Sequence, residues 1–493
     1  MKLEDLLFYD TIIIQCHDYP DADTIASAYG IYNYLTNSGK TARIIYGGKK
    51  ITKPNLLIMI ERLGIPIEYA ESIDYVPDLL LTADCIHGEN NVTDFPAKKY
   101  AAIDHHISIR NSSNLYDIRP EYGSCSSIIA VMLKEAGLDY NSQVNLATAL
   151  YYGLFTDTNG LSEISHPADR DLRDFTIFEK DIISQLTKSV LTLEELILAG
   201  NAINNVINNR EYNYAVTCVE KCDPNILGYI NDLVLQVDTV NVSVVCCFIS
   251  GGIKISIRSC VSDIKAPELA EYITDGIGSG GGHFLKAGGF ISMDKLPHLD
   301  EKNVCEFLSE RIQGYFRSFD EIHAEDCETD ISDMKVYVKK SQLMGYIPTT
   351  ELFRTGTVFR VRSVEADFEL KADENTYIVS DAYCSAYRVE KNQFDSTYAD
   401  SDETFVMKSE YHPRVITKDM DTMELRFRSC RSRGGVKIYA KELKRNTKLF
   451  TRWESCNYMS GKAGDYLVVR MDDLTDIYIL DRVRFEEIYE EYM

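Results

Sequence analysis

The chain has 493 residues, of which 45% are hydrophobic and 26% charged, and a formal net charge of −24. This composition excludes wholesale disorder and supplies material for several cores. The acid excess leaves no basic stripe for long duplex nucleic acid, no apolar run reaches the ~18–20 residues that span a bilayer, and the acidic opening MKLEDLLFYD is unlike a secretion signal. A cytoplasmic protein without membrane partners is therefore expected.

The first half alternates short apolar, β-branched runs with helical patterns. Thr11–Cys16, Thr41–Tyr46, Asp78–Ala83 and Tyr100–Ile103 read as strands, and Thr24–Leu35, Asn55–Leu63, Cys125–Glu135 and Ser142–Phe155 read as helices. Strands that alternate with helices imply crossover connections and a buried parallel sheet. Polar residues collect where these elements end. His17, Asp21 and Asp23 follow the first strand, Asp84 follows DLLLTA, Asp104-His105-His106 follow YAAI, and Asp157 closes a helix in GLFTDTNG. Ligands of open α/β sheets sit at the carboxyl ends of strands, and carboxylates mixed with imidazole suit Mn²⁺, Mg²⁺ or Fe²⁺. Asp21 and Thr24 also serve as helix-capping types, and Ser124, Ser126 and Ser127 in GSCSS read as caps.

A mostly helical connector is expected over 176–210. The strand-like segments YAVTCVE, VNVSVVCCFI, IKISIRS and KAGGFIS then mark a second α/β unit, over 211–320, with the glycine-rich GSGGGHFLKAGG before its last strand. Arg258 and Ser259 on IKISIRS suit a phosphate grip, and Gly280, Gly281 and Gly282 allow backbone amides to approach an anion beside His283. The thirteen cysteines contain no CxxC pair and read as buried free thiols.

Residues 321–493 are rich in Tyr and β-prone stretches. Tyr387, Phe394 and Tyr398 recur in spacing as Tyr478, Phe485 and Tyr489, each set following a Lys-Ala pair, Lys371-Ala372 and Lys462-Ala463. Two tandem modules are expected, at about 335–400 and 436–493, joined by a partly flexible linker over SDETFVMKSEYHPRVITKDMD. Their role is open between dimerisation or domain shielding and substrate gating or partner recruitment. Trp453 is the lone tryptophan there.

HDYPDADTIAS, Asp84, Asp104-His105-His106 and FTDTNG, taken in order, resemble the four motifs of the DHH phosphoesterases, and GSGGGHFLKAGG resembles the signature of the associated DHHA1 domain. The resemblance covers about residues 1–320 and is similar to the bifunctional oligoribonucleases that also act on 3′-phosphoadenosine 5′-phosphate. It implies a parallel-sheet α/β DHH domain over 1–175, a smaller α/β DHHA1 substrate domain over 211–320 and, as a departure from the family layout, an α+β extension over 321–493. It further implies two divalent metal ions, manganese in most relatives. One would take His17, Asp21 and Asp84. The other would take Asp23, Asp84, His105 and Asp157, with Asp84 as the bridge. His106 is then free to touch the phosphate or the leaving group, and Asp104 to orient its neighbours.

The expected activity is hydrolysis of short oligoribonucleotides, linear dinucleotides or 3′-phosphoadenosine 5′-phosphate. The alternatives are a cyclic-dinucleotide phosphodiesterase and a nucleotide sensor that does not cleave. The presence of every metal-capable position favours catalysis. A homodimer is among the expected assemblies.

Overall fold

The structure is a computed structural model that describes all residues except 90, 107–114, 165, 223, 225, 262–263, 283, 325–329, 452–457 and 493. Two compact units divide the chain, Met1–Ile197 and Leu198–Met493. The division falls inside the stretch read as a connector.

The first unit contains β1 (Ile12–Cys16), α1 (Ala22–Asn37), β2 (Ala42–Tyr46), α2 (Pro54–Leu63), β3 (Ile67–Tyr69), β4 (Leu79–Ala83), β5 (Tyr100–Asp104), β6 (Tyr116–Ile118), α3 (Cys125–Glu135), α4 (Val144–Asp157), α5 (Pro167–Phe175) and α6 (Lys180–Thr187); α7 (Leu193–Asn204) crosses into the second unit. The strands form one six-stranded sheet in the order β3-β2-β1-β4-β5-β6, parallel throughout. Every residue of β1 and β4 is buried, as expected of central strands in a parallel sheet covered on both faces. The chain leaves β1 toward β2 and β3 and returns through β4 toward β5 and β6. The order therefore reverses between β1 and β4, where a crevice opens at the carboxyl ends. The expected fold class holds here, and the predicted elements lie within two residues of the observed ones.

The second unit opens with β7 (Ile207–Asn209), β8 (Tyr214–Val219), α8 (Ile226–Val234), β9 (Val242–Ile249), β10 (Gly252–Ser259), α9 (Ala266–Thr274), β11 (Gly278–Gly282), β12 (Lys286–Ser292) and α10 (Val304–Arg317). They build a six-stranded sheet ordered β11-β12-β10-β9-β8-β7. Ile253, Ile255 and Ile257 of β10 are wholly buried in a core shared with Leu269 and Ile273 of α9 and Leu308 and Ile312 of α10.

The remainder runs β13 (Asp320–His323), β14 (Lys335–Lys339), β15 (Leu343–Pro348), α11 (Thr349–Leu352), β16 (Val358–Arg362), β17 (Asp367–Lys371), β18 (Thr376–Ser380), β19 (Ala386–Glu390), α12 (Lys391–Thr397), β20 (Tyr398–Asp400), β21 (Arg414–Ile416), β22 (Thr422–Glu424), β23 (Arg428–Ser432), β24 (Lys437–Glu442), β25 (Thr447–Phe450), β26 (Tyr458–Gly461), β27 (Tyr466–Arg470), β28 (Ile477–Leu480), α13 (Arg482–Ile488) and β29 (Tyr489–Glu491). Two of its sheets have five strands and matching layouts, β19-β18-β15-β23-β20 and β28-β27-β24-β14-β29. In each, a hairpin is followed by a short helix and a strand that returns to the far edge. Phe394 and Phe485 are the buried residues of these two helices. The hydroxyls of Tyr387 and Tyr398 lie 2.9 Å apart, and so do those of Tyr478 and Tyr489.

The two sheets exchange a strand. β14 directly precedes β15 but pairs with β24, while β23 directly precedes β24 but pairs with β15. The short connectors pass side by side, with Lys339 and Val436 hydrogen-bonded through their backbones and Gly434 in the left-handed region at φ +64°. A methyl group on Gly434 would sit 3.1 Å from the Lys339 carbonyl oxygen. The outer strands are exchanged as well, since β13 pairs with β25 and β21 with β16; the former pair is parallel and the latter antiparallel. The stretch read as a linker thus supplies β21, and its Val415 is fully buried in the core with Phe359 and Val361. A mostly polar sequence looked like a tether, whereas its short Arg414-Val415-Ile416 segment is an inserted strand.

Candidate metal centre

The loops leaving β1, β4 and β5 and the end of α4 bring seven of the expected side chains together. Asp21 caps α1, accepting from the backbone NH groups of Asp23 (3.0 Å) and Thr24 (3.1 Å). The other carboxylate oxygen of Asp21 faces His17 Nε2 at 3.6 Å. Asp23, fully buried, accepts from the NH groups of Cys125 (2.7 Å) and Ser126 (2.9 Å) at the start of α3. The partial positive charge of that helix end holds a carboxylate well.

Asp84 sits at φ +62°, in the left-handed region that few side chains adopt. This turn aims its two oxygens in different directions. Oδ2 lies 3.9 Å from His17 Nε2, and Oδ1 lies 3.2 Å from His105 Nε2. His105 Nε2 is also 3.1 Å from Asp157 and 3.9 Å from Asp23. Its Nδ1 is 3.1 Å from the Tyr122 carbonyl oxygen, which can only accept, so Nδ1 carries a proton and Nε2 is directed at the carboxylates.

Asp104 accepts from the NH groups of both His105 (2.7 Å) and His106 (3.1 Å), and from His106 Nδ1 at 2.8 Å. It orients the pair rather than joining the carboxylate cluster. His106 is more open, with 41% of its side chain exposed. Burial works against its charged form, but the Asp104 carboxylate outweighs that and pushes the imidazole up to about 9.

Three trios of donor atoms each lie within 4.8 Å: His17, Asp21 and Asp84; Asp23, His105 and Asp157; and Asp84, His105 and His106. These separations fit cations bound at ~2.1 Å from oxygen and nitrogen. Two further observations agree with metal. Asp84 Oδ1 is buried with no hydrogen-bond partner among the described residues, and Asp21, Asp23 and Asp84 have only histidines as ion-pair partners there. Asp23 and Asp84 resist ionisation, whereas for Asp21 burial is outweighed by the hydrogen bond and charge of His17, which hold the carboxyl below its ordinary value. Burial raises Asp23 well above the ordinary range and Asp84 to about 6. The nearby Cys16 thiol is pushed up to about 12, chiefly by burial, and stays protonated. The donors are thus hard, and soft thiophilic metals are disfavoured.

These shifts make a pH prediction. A carboxyl whose pKa rises on folding stabilises the fold at low pH; for Asp84 the contribution is full below 3.8 and lost as pH climbs through about 6. The Tm of chelator-treated protein should fall across that interval. Added Mn²⁺ should remove the fall, and a pH-independent Tm in the chelated protein would contradict the crowded-carboxylate account.

One contributor was not singled out from the sequence. Gly153 lies inside α4, where a methyl group would come 2.2 Å from Ser126 Oγ and 2.9 Å from Asp23 Oδ1. Its missing side chain lets α4 close on Asp23. Glycine within a helix usually costs ~1 kcal/mol relative to alanine, so Gly153→Ala would ordinarily stabilise. Here the variant should instead melt lower and bind Mn²⁺ more weakly, as differential scanning fluorimetry and calorimetry would read. A glycine four residues before the motif aspartate was the available signal.

The remaining expected residues lie in the second unit. Arg258 and Ser259 end β10; the Arg258 guanidinium approaches Asp232 of α8 at 3.4 Å, and the buried Ser259 hydroxyl is taken by the Val261 backbone. Gly280, Gly281 and Gly282 do not form a loop. They belong to the edge strand β11, paired with Gly289, Gly288 and Ala287. A methyl group on Gly280 would lie 2.5 Å from the Ala270 backbone of α9, so close packing requires that glycine. His283 and Trp453 lie outside the described residues.

Residues 11–154 match the profile of the DHH family, N-terminal domain. The matched stretch lies within the first unit and contains β1 to β6. Asp104, His105 and His106 fall in that stretch; the two histidines join the donor trios and Asp104 orients them. An uncharacterized protein of Methanocaldococcus jannaschii, MJ1633, is 27% identical over 305 residues, covering 61% of this chain and 62% of its own. The chain therefore spans less than two thirds of that relative. An exopolyphosphatase-related protein from Bacteroides fragilis is similar at 19% identity and a TM-score of 0.48, over 64% of this chain and 96% of that one. A pGpG-specific phosphodiesterase from Vibrio cholerae is similar at 12% identity and a TM-score of 0.24, over 61% and 99%. No helix among the described residues is long and apolar enough to cross a membrane.

Proposed function

We propose that the chain is a metal-dependent hydrolase of phosphoester bonds in short oligoribonucleotides, linear dinucleotides or 3′-phosphoadenosine 5′-phosphate, with manganese as the working ion. The observation that carries this reading is the shared Asp84. Its two oxygens serve two donor trios on opposite sides, an arrangement suited to a pair of cations. Divalent ions bound there supply activated water and neutralise phosphoryl oxygens.

The residues of the chain then have distinct work. His17, Asp21, Asp23, Asp84, His105 and Asp157 hold the ions. The α1 N-terminus fixes Asp21 and the α3 N-terminus fixes Asp23. His106 gives its Nδ1 proton to the bond with Asp104, so its Nε2 proton is the one available to the leaving oxygen.

The second unit supports a nucleotide ligand. Lys254, Ser256 and Arg258 alternate along β10 on the face opposite its buried isoleucines, and Gly288 and Gly281 lie directly across from Ser256 in the sheet. The glycines leave that face flat. A base or phosphate could lie against it beside Lys254, whose ammonium has no ion pair among the described residues.

The test is turnover by Mn²⁺-loaded protein of a di-adenylate, a tri-ribonucleotide, cyclic di-adenylate and 3′-phosphoadenosine 5′-phosphate. Cleavage of the linear substrates or of the bisphosphate supports the reading. Cleavage of the cyclic dinucleotide alone replaces it with the cyclic-dinucleotide activity. Binding without any turnover replaces it with a sensor built on the same scaffold.

A further inference from the structure

The loop after β2 reads Gly47-Gly48-Lys49-Lys50-Ile51-Thr52-Lys53. It places three lysines within five positions, in a chain with 76 acidic and 52 basic residues. Lys49 and Lys50 are exposed and Lys53 is half-buried, and none of the three has an ion pair among the described residues. Lys50 rests over the Tyr69 ring at 5.5 Å.

This loop borders the candidate metal centre. β1 and β2 are parallel neighbours in register up to Cys16 and Tyr46, so the next residues, His17 and Gly47, leave the same sheet edge side by side. Adjacent strands are ~4.8 Å apart. The contact is direct, because a methyl group on Gly47 would lie 3.0 Å from Asp18 Oδ1 and one on Gly48 would lie 2.6 Å from Asp18 Cβ. Glycine is what lets the lysine loop close on the loop that carries His17 and Asp21.

The loop is also braced. The Tyr69 hydroxyl donates to the Gly48 carbonyl at 3.2 Å, and the Ile51 NH donates to the Tyr46 hydroxyl at 3.1 Å. Asp18 beneath it accepts from the Thr93 NH (2.9 Å) and hydroxyl (2.7 Å). Positive side chains on a braced loop, without an ion pair among the described residues and one strand away from the candidate metal centre, are arranged for anions. The anion must extend outward from the crevice along the sheet edge, which a single phosphate cannot do.

We propose that Lys49, Lys50 and Lys53 form a second phosphate-binding edge that holds the phosphates neighbouring the scissile one, so that the preferred ligands carry a chain of phosphate groups. The inference rests on the phosphoesterase reading for the identity of the scissile group. The chain of phosphates could be that of a short oligonucleotide or of inorganic polyphosphate.

The experiment compares the Mn²⁺-loaded full chain with its Lys49→Gln/Lys50→Gln variant. Both substitutions are at exposed positions, and matched melting curves check the fold. Calorimetry measures binding of a tri-ribonucleotide, inorganic tripolyphosphate and a nucleoside monophosphate at two salt concentrations. The expected result is roughly tenfold weaker binding of the trinucleotide, with a salt slope shallower by about 1, and a smaller loss for the monophosphate. A loss for tripolyphosphate alone assigns the edge to inorganic chains. Equal affinities of both proteins for both phosphate chains, or a wild type that binds neither, overturns the proposal. A wild type that binds through these lysines yet cleaves nothing overturns the phosphoesterase reading and leaves the edge standing.

Discussion

Asp84→Ala is expected to lower turnover by at least ~10²-fold, the loss that follows removal of one electrostatic partner of a transition state. The residue serves both sides of the centre at once. Its removal takes an oxygen from the His17 and Asp21 trio and another from the group around His105. Titration with Mn²⁺ should therefore lose affinity at both sites together, where loss of Asp157 should weaken only one. The left-handed backbone at φ +62° adds a second consequence. Alanine tolerates that conformation less well than aspartate, so Asp84→Asn is the better probe of charge alone. Retention of more than a tenth of wild-type turnover by both variants would sink the shared-carboxylate reading.

His106→Gln is expected to slow cleavage of nucleotide substrates by ~10²-fold or more, the usual worth of a positioned general acid. The effect should depend on the leaving group. A nitrophenyl ester departs without a proton, so its cleavage should fall much less. The pH profile offers an independent reading. The imidazole is held up at about 9 by Asp104, so it is protonated below that value and the rate should decline as pH rises through it. The decline should be absent in His106→Gln and shifted to lower pH in Asp104→Asn, since removing the carboxylate removes the force that raises the group. Equal slowing of nitrophenyl and nucleotide substrates would assign His106 a binding role instead.

Much of this centre was visible in the sequence because each donor follows an element that local pattern reveals. A β-branched run such as TIIIQC can only be a buried strand, and the polar residues after it must then sit at a sheet edge. The helix N-terminus that seats Asp23, and the closeness of α4 to it, were not visible. They depend on backbone NH groups and on a missing methyl at Gly153, neither of which leaves a periodic trace. The glycine run at 278–282 was ambiguous for a related reason. Glycine permits a loop and also permits a strand pressed against a helix, and only α9 decides between them. In the C-terminal region the aromatic spacing disclosed the repetition of helix and hairpin. It could not disclose the exchange, because apolar alternation reports that a strand is buried and says nothing about its partner.

That exchange has a consequence for synthesis. Residues 335–339 leave the ribosome long before 437–442, the strand against which they pair. The intervening hundred or so residues take on the order of 5–20 s to make. During that interval β14 is a strand with two bare edges, and its neighbour β15 waits likewise for 428–432. Unpaired edges invite the wrong partner, including the same segment of another nascent chain. The sequence of β14 answers this hazard, for Val336, Tyr337 and Val338 stand between Lys335 and Lys339, with Lys340 beyond. Flanking lysines repel a second copy of the strand, and the acidic strand β29, which ends the sheet at Glu490 and Glu491, arrives last to cover it.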